Sequence, residues 1–175
     1  MDRHRPLHIY KNKTVYFITS STLNRFRYFD TDQKKELLLD VIYRACSKFI
    51  IELSAWAILD NHYHILVEIK RGRDIPMLIN NIHTNSSRLL NELEDSMGRK
   101  IWYQYYDRCI RSEKDYWTRF NYIHQNCVKH RYSKNIEGYK YSSYQEWIRD
   151  KGAEWMADVL TNYPIVDFSV EGEVD

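Results

Sequence analysis

The stretch Asn61-His62-Tyr63-His64-Ile65-Leu66-Val67-Glu68-Ile69 alternates in the way that is typical of a β-strand. Successive side chains of a strand point to opposite faces. One face is therefore an unbroken apolar row, formed by Tyr63, Ile65, Val67 and Ile69. The other face presents two imidazoles, those of His62 and His64. The pattern predicts a strand that covers a hydrophobic core on one side and carries a polar site on the other.

A second stretch, Tyr122-Ile123-His124-Gln125-Asn126, has the character of a helix. Tyr122 and Asn126 lie four residues apart and so fall on the same side of a helix. Each stretch alone is weak evidence, because paired histidines on a strand are often only half-buried and the chain has 15 tyrosines. Together, a helix with a phenol and an amide facing two imidazoles on a sheet predicts a metal site beside a nucleophile.

The remaining patterns predict strands at 14–20, 50–58 and 101–110 and helices from 31 to 49 and from 74 to 97. The second strand is expected to place Leu53 on one face with Ala55 and Ala57, and Asp74 is expected to cap its helix. The order strand, helix, strand, strand, helix, strand is that of a ferredoxin-like domain. We therefore predict an α+β fold, in which two helices cover one face of a four-stranded antiparallel sheet.

The other face of this sheet needs a cover, and a third helix is predicted to supply it. Ser112 and Asp115 have the spacing of a capping box at its start. Its apolar stripe consists of Tyr116, Phe120, Ile123 and Cys127. Tyr122 and Asn126 lie on the flank of that stripe, so the predicted helix turns them towards the two histidines.

Bulk composition predicts one globular domain over residues 1–175, with a basic arm at 1–13 and a C-terminal extension at 131–175. Hydrophobic residues make up 43%, charged residues 29%, and the net charge of +2 neither identifies nor excludes a nucleic-acid partner. The arm is either a solvated tail or a phosphate contact. Three widely spaced cysteines, no long apolar run and no signal-peptide core predict a cytoplasmic protein that has no membrane partner.

With both motifs placed, the sequence resembles the REP-associated tyrosine transposases, a branch of the HUH single-strand transposases. These enzymes have a hydrophobic residue between two histidines on a strand, as in His62-Tyr63-His64. In the REP-associated branch the helix motif runs Tyr-Ile-His-x-Asn-Pro-Val, which residues 122–128 match at all positions but the proline. Ser142-Ser143 resembles a further pair of the family. Before the histidines, Leu59-Asp60-Asn61 replaces Met-Pro-Asn, which is expected to loosen the turn without removing a ligand.

The resemblance implies a chemistry. His62, His64 and Asn126 would bind a divalent metal, Mg²⁺ or Mn²⁺, and Tyr122 would attack DNA to form a 5′-phosphotyrosine. The substrate would be single-stranded or hairpin DNA, and the active species either a monomer or a homodimer. Three basic side chains on or just beyond the third helix are candidate DNA contacts: Arg119, Lys129 and Arg131.

Other classes of function fit the sequence less completely. A histidine-triad hydrolase needs a further histidine where Leu66 stands. A non-catalytic nucleic-acid-binding module of ferredoxin-like fold leaves the pairing of the two motifs without an explanation. A domesticated transposase, which cleaves DNA but no longer mobilises itself, stays open.

Overall fold

The computed structural model describes residues 13–165, so the predicted basic arm, apart from Lys13, and the end of the C-terminal extension lie outside it. The elements of the described part are β1 (Thr14–Thr22), α1 (Asp32–Phe49), β2 (Glu52–Ile58), β3 (His62–Ile69), α2 (Asp74–Leu93), β4 (Trp102–Cys109), α3 (Glu113–Lys129), α4 (Tyr144–Lys151) and α5 (Ala153–Asn162). The strands form one antiparallel sheet in the order β2-β3-β1-β4. The predicted α+β architecture is confirmed.

Helices α1 and α2 cover one face of the sheet, because both carry apolar stripes. The stripe of α1 includes Leu38, Val41 and Ile42, and that of α2 includes Leu78, Ile79 and Ile82. They pack on the apolar row of β3 and on Tyr16 and Ile18 of β1, and all of these side chains are buried. The predicted core face of β3 is therefore the one that faces these helices.

Helix α3 lies against the opposite face of the sheet. Phe120 and Ile123 of α3 form a second buried cluster with Phe17 of β1 and Leu66 of β3, joined by Met156 of α5. The helix begins as the sequence predicts, since the Asp115 amide donates to Ser112 Oγ at 3.1 Å. Both faces of the two central strands are thus covered within residues 13–165.

Strand β2 differs from the prediction at its start. The pairing with β3 shifts register between Leu53 and Ala55, which marks a β-bulge. The extra residue reverses the alternation, so Leu53 packs in the first core and Ala55 in the second. The prediction that Leu53 shares a face with Ala55 and Ala57 is wrong for this reason.

The start of α2 also differs from the prediction. Asp74 is the first helical residue rather than the cap, and its carboxylate accepts from Arg71 Nε at 3.0 Å. The helix ends at Leu93 instead of running to Gly98. Helix α1 behaves as predicted, because the Thr31 side chain accepts from the Lys34 amide.

The Ser142-Ser143 pair protects the outer edge of the sheet. The segment that contains it runs beside β2, where the Ile58 amide donates to Tyr141 O and the Ser143 amide donates to Trp56 O, both at 2.9 Å. An exposed strand edge invites pairing with another chain. The segment therefore satisfies backbone groups of β2 that would otherwise face outwards.

The turn before β3 is held by a buried ion pair. Asp60 Oδ1 lies 2.6 Å from Lys35 Nζ, and both side chains are nearly buried. The Asp60 backbone oxygen also accepts from the Phe29 amide at 2.8 Å. Where the family pattern has a proline, this chain has Asp60, and its ion pair with Lys35 of α1 holds the turn. The structure therefore does not show the expected loosening.

Asp60→Asn should destabilise the protein by about 3 kcal/mol, because it leaves the Lys35 ammonium buried without a counter-charge. The measurement is urea unfolding at neutral pH. Asp30→Asn is the matched control, since Asp30 pairs with Lys34 at the surface and should cost less than about 1 kcal/mol. Equal losses in the two variants would contradict the role given to the buried pair.

Candidate active site

The ring of His62 is oriented by its neighbour Asn61. Asn61 Nδ2 donates to Arg25 O at 3.2 Å, which turns Asn61 Oδ1 towards His62 Nδ1 at 2.7 Å. An amide oxygen only accepts, so Nδ1 of His62 carries the hydrogen of that bond. In the neutral ring the lone pair is then on Nε2, which points to the space between β3 and α3.

His64 is fully buried next to His62. Its Nδ1 lies 2.7 Å from Thr19 Oγ1 on the neighbouring strand, and its ring stacks on Phe17. Burial, with a smaller contribution from His130, lowers the pKa of His64 to about 3. The imidazole is therefore neutral near pH 7, and the neutral form is the one that binds metals.

Asn126 of α3 meets the imidazole of His62 from above the sheet. Its Oδ1 is 3.1 Å from His62 Nε2. Its Nδ2 is buried without a hydrogen-bond partner. The side chain thus directs its oxygen, not its hydrogen-bearing nitrogen, at His62 Nε2.

This donor set fits a hard or borderline cation. Two imidazole nitrogens and one amide oxygen converge, and the partner on each Nδ1 fixes the ring orientation as in known metal sites. No group of three or more His, Cys, Asp or Glu side chains in residues 13–165 is arranged to hold an ion. A metal at this place would therefore need the Asn126 oxygen as its third protein ligand.

Tyr122 lies one helical turn before Asn126. Its ring meets His64 edge-on with 5.4 Å between the ring centroids, and Phe17 at 5.9 Å. The side chain is 2% exposed, yet it lines a pocket of about 390 Å³ together with Gln125, Asn126, Val128, Lys129 and Ile165. Tyr122 and Asn126 therefore line the same pocket.

The three predicted basic contacts lie in different surroundings. Lys129 Nζ lies 5.3 Å above the Tyr122 ring and lines the pocket. The Arg119 side chain is 4% exposed, with its guanidinium 5.1 Å from the Phe17 ring and 3.5 Å from Asp115. Arg131 is exposed beyond the end of α3 and does not line the pocket. Lys129 is thus the one of the three that reaches the site, and all three stay predictions as DNA contacts.

His124 is adjacent to this site in sequence but not in space. Its Nε2 lies 2.8 Å from Ser143 Oγ, and its ring packs on Phe120. The side chain is fully buried in the second core. His124 therefore joins α3 to the segment that runs along β2.

His130, which follows α3, was not among the predicted site residues. Its ring centroid is 4.9 Å from that of His62. Its spacing could have predicted this position, because His130 lies four residues, about one helical turn, after Asn126 and so falls on the same side of the helix. The roles of Thr19 and Asn61, which orient the two imidazoles, were also not predicted: Thr19 lies on another strand, and Asn61 was placed in the motif without a role.

A family model described as "Transposase IS200 like" matches residues 10–126 of the chain, a stretch that includes both histidines and Tyr122 and ends at Asn126. The chain belongs to this family. As an IS200-like transposase it is the kind of protein that the paired motifs predicted.

Two relatives of this IS200-like transposase are assigned to the REP-associated branch. A REP-associated tyrosine transposase of Escherichia coli K12 is 25% identical over 150 residues, which cover 83% of this chain and 86% of that protein. A Haemophilus influenzae protein with the same assignment is 25% identical over 170 residues and covers 91% and 93%. The predicted resemblance to this branch is confirmed.

A solved structure of a REP-associated tyrosine transposase bound to a REP hairpin has a similar fold. The TM-score is 0.69 at 21% identity, and the match covers 85% of this chain and 86% of that one. The similarity confirms the architecture of the IS200-like transposase.

Within residues 13–165, no helix is both long and apolar enough to cross a bilayer.

The metal-free IS200-like transposase should lose stability as the pH falls from 6.5 to 5. Burial lowers the pKa of His64, of His83 and of His124 to about 3, whereas an unfolded histidine titrates near ~6.5. The unfolded chain then binds protons that the folded chain does not, so acid favours unfolding. Each of these histidines should add about 1.4 kcal/mol per pH unit to the slope of the free energy of unfolding against pH.

Urea unfolding at several pH values, with a chelator present, measures this slope. His124→Gln is the diagnostic variant, because it removes one of these three histidines and lies outside the pocket. Its slope between pH 6 and 5 should be smaller than that of the wild type by the contribution of one histidine. If the free energy of unfolding of His124→Gln changes with pH as steeply as that of the wild type, His124 is not held neutral by the fold.

Proposed function

We propose that this IS200-like transposase cleaves and rejoins single-stranded DNA at hairpin-flanked sites through a 5′-phosphotyrosine, with Mg²⁺ or Mn²⁺ as cofactor. One observation carries the proposal. The Tyr122 ring touches His64, while Asn126, one turn later, is 3.1 Å from His62 Nε2. The nucleophile and one of the metal donors, Asn126, therefore line the same pocket, and the two imidazoles lie directly behind them.

The donor set supports the choice of metal. His62 Nε2, His64 Nε2 and Asn126 Oδ1 leave coordination positions open for water and phosphate oxygens, which suits Mg²⁺ or Mn²⁺. When bound, such a cation neutralises charge that develops on the phosphate. The protein contributes the orientation of the ligands, because Asn61 and Thr19 hold the two rings from behind.

Tyr122 supplies the nucleophile. Its phenol oxygen forms a bond to phosphorus and loses its proton, while the bond from phosphorus to the 3′ oxygen breaks and that oxygen becomes a hydroxyl. The DNA is then joined to Tyr122 through its 5′ phosphate. Because the phosphodiester energy is kept in this linkage, attack by a 3′ hydroxyl rejoins DNA without ATP.

The position of Tyr122 supports an unpaired substrate. The ring is nearly buried between α3 and the sheet, and the phosphate must approach it through the pocket that Lys129 lines. A single strand can present one phosphate there, whereas a duplex is too wide unless it is locally open. The hairpin bound by the solved relative supports hairpin DNA as the partner of this chain.

The geometry of the site also indicates how many copies of the chain are needed to form it. Tyr122 contacts His64 of the same chain, so a monomer holds all four proposed residues. A homodimer stays compatible with the proposal but is not needed to complete the site. The cytoplasmic location expected from three unpaired cysteines belongs to the same proposal.

Tyr122→Phe should abolish the covalent protein–DNA adduct while the fold and DNA binding survive. The change removes one oxygen atom and almost no packing volume. The measurement is a denaturing gel after incubation with Mn²⁺ and a labelled hairpin that carries an unpaired flank. Tyr116→Phe is the matched control, because Tyr116 is on the same helix but outside the pocket, and it should form the adduct as the wild type does.

An adduct formed by the Tyr122→Phe variant would refute the nucleophile assignment. A fully paired duplex of the same sequence should give much less adduct with the wild type, and equal yields would refute the choice of an unpaired substrate. A wild-type protein that binds the hairpin but never forms an adduct would instead be the non-catalytic nucleic-acid-binding module.

His64→Ala should weaken Mn²⁺ binding by at least about 10-fold, because one of two imidazole ligands is lost. Isothermal titration calorimetry measures this without any DNA, and circular dichroism checks that the variant is folded. Asn126→Ala should have a smaller effect, since a neutral amide is the weaker ligand. His83→Ala is the control, because His83 lies on the α2 side of the sheet, stacked on Trp102. Wild-type affinity in His64→Ala would remove the metal site from the proposal.

A further inference from the structure

The loop after β1 presents an aromatic ring between two cations. Phe26 is 59% exposed, while every other phenylalanine in residues 13–165 is buried or half-buried. Arg25 precedes it, and Arg27, whose side chain is 72% exposed, follows it. An exposed phenyl ring that packs on little of its own protein, with positive charge on both sides, has the character of a contact surface.

The shape of this loop is fixed. Asn24 and Arg25 have φ values of 53° and 57°, a left-handed conformation that residues other than glycine adopt at a cost. Three hydrogen bonds hold it: Thr22 Oγ1 donates to Phe26 O at 2.7 Å, Asn61 Nδ2 to Arg25 O at 3.2 Å, and the Leu23 amide to Ile101 O at 2.7 Å. The ring is therefore presented from a rigid support.

The same support connects the loop to the active site. The Asn61 amide that holds Arg25 O also holds His62 Nδ1 at 2.7 Å. His62 in turn lies 3.1 Å from Asn126, which lines the pocket. These contacts place the loop beside the two imidazoles.

We propose that Phe26 is a stacking platform for an unpaired base of the DNA strand that leads to the cleaved phosphate, and that Arg25 and Arg27 contact the phosphates on either side of that base. The inference rests on the proposed function and extends it by naming where the unpaired flank lies. Bases of any sequence have a π-face that stacks on an aromatic side chain, and nearby arginines neutralise the backbone.

The chemistry of the loop favours single-stranded DNA over other occupants. A duplex keeps its bases stacked on one another and offers no free face to a phenyl ring. An apolar protein surface that covered Phe26 would also remove water from the two arginines, which is costly for a charged group, and Arg27 lies as far as 4.0 Å from the Asp60 carboxylate. A strand with a free base and two flanking phosphates satisfies the ring and both cations.

Phe26→Ala should weaken binding of a hairpin that carries an unpaired flank by about 5- to 100-fold, from the measured strength of base stacking on aromatic side chains. The probe is a hairpin oligonucleotide with a flank of about ten thymidines, bound in the Tyr122→Phe background so that no cleavage occurs. The same hairpin without its flank should bind equally to both proteins. Phe26→Trp should retain the affinity for the flanked hairpin.

Met77→Ala is the matched control, because Met77 is a comparably exposed apolar side chain on α2. This variant should bind the hairpin with its flank and the hairpin without it as tightly as the parent protein does. A second readout is a 2-aminopurine base placed at successive flank positions. Its fluorescence should be quenched at one or two positions in the complex and should recover with Phe26→Ala.

Unchanged affinity for the flanked hairpin in Phe26→Ala would overturn the inference, and so would an equal loss for both hairpins, which would place the contact on the stem. Neither result depends on cleavage. If the wild type forms the covalent adduct but Phe26→Ala binds normally, the proposed function stands and only the stacking site is wrong.

Discussion

Strand β3 is buried on both faces, and its second face carries two imidazoles. A buried polar group needs partners, since its transfer from water is otherwise unfavourable. Thr19 supplies a partner for His64 Nδ1 from β1, and Asn61 supplies one for His62 Nδ1 from the turn before β3. The Asn126 oxygen of α3 lies 3.1 Å from His62 Nε2. The position of α3 that brings this oxygen to His62 also brings Tyr122 to His64. A register slip of one residue in β3 would turn the histidines into the other core.

The alternation of β3 and the spacing of Tyr122 and Asn126 were enough to predict the sheet, the side on which α3 lies and the four residues that meet. These features are local periodicities, and a sequence shows them directly. The bulge at Leu53 was not predictable, because it depends on how β2 pairs with β3. The Lys35–Asp60 pair was missed for a related reason, since its members are 25 residues apart and nothing in either neighbourhood indicates the other.

Basic side chains were the least predictable part of the site. A helix position gives the direction of a side chain but not the extent of its burial. Arg119 and Lys129 lie on the same helix near Tyr122, yet the first guanidinium packs on Phe17 and the second side chain lines the pocket. Long side chains follow the local packing of rings and carboxylates, so their contacts became visible only in three dimensions.

The Asn61 side chain makes one bond to the loop and one to His62. A shift of this amide that improves either bond alters the other, so the two ends are thermodynamically linked. If a ligand bound to the loop shifts this amide, it changes the affinity of the imidazole face for its own ligand, and a ligand on that face changes the affinity of the loop by the same factor. A single asparagine in a tight turn thus offers a route for reciprocal coupling between the proposed stacking loop and the proposed metal site, without any movement of a helix or a domain.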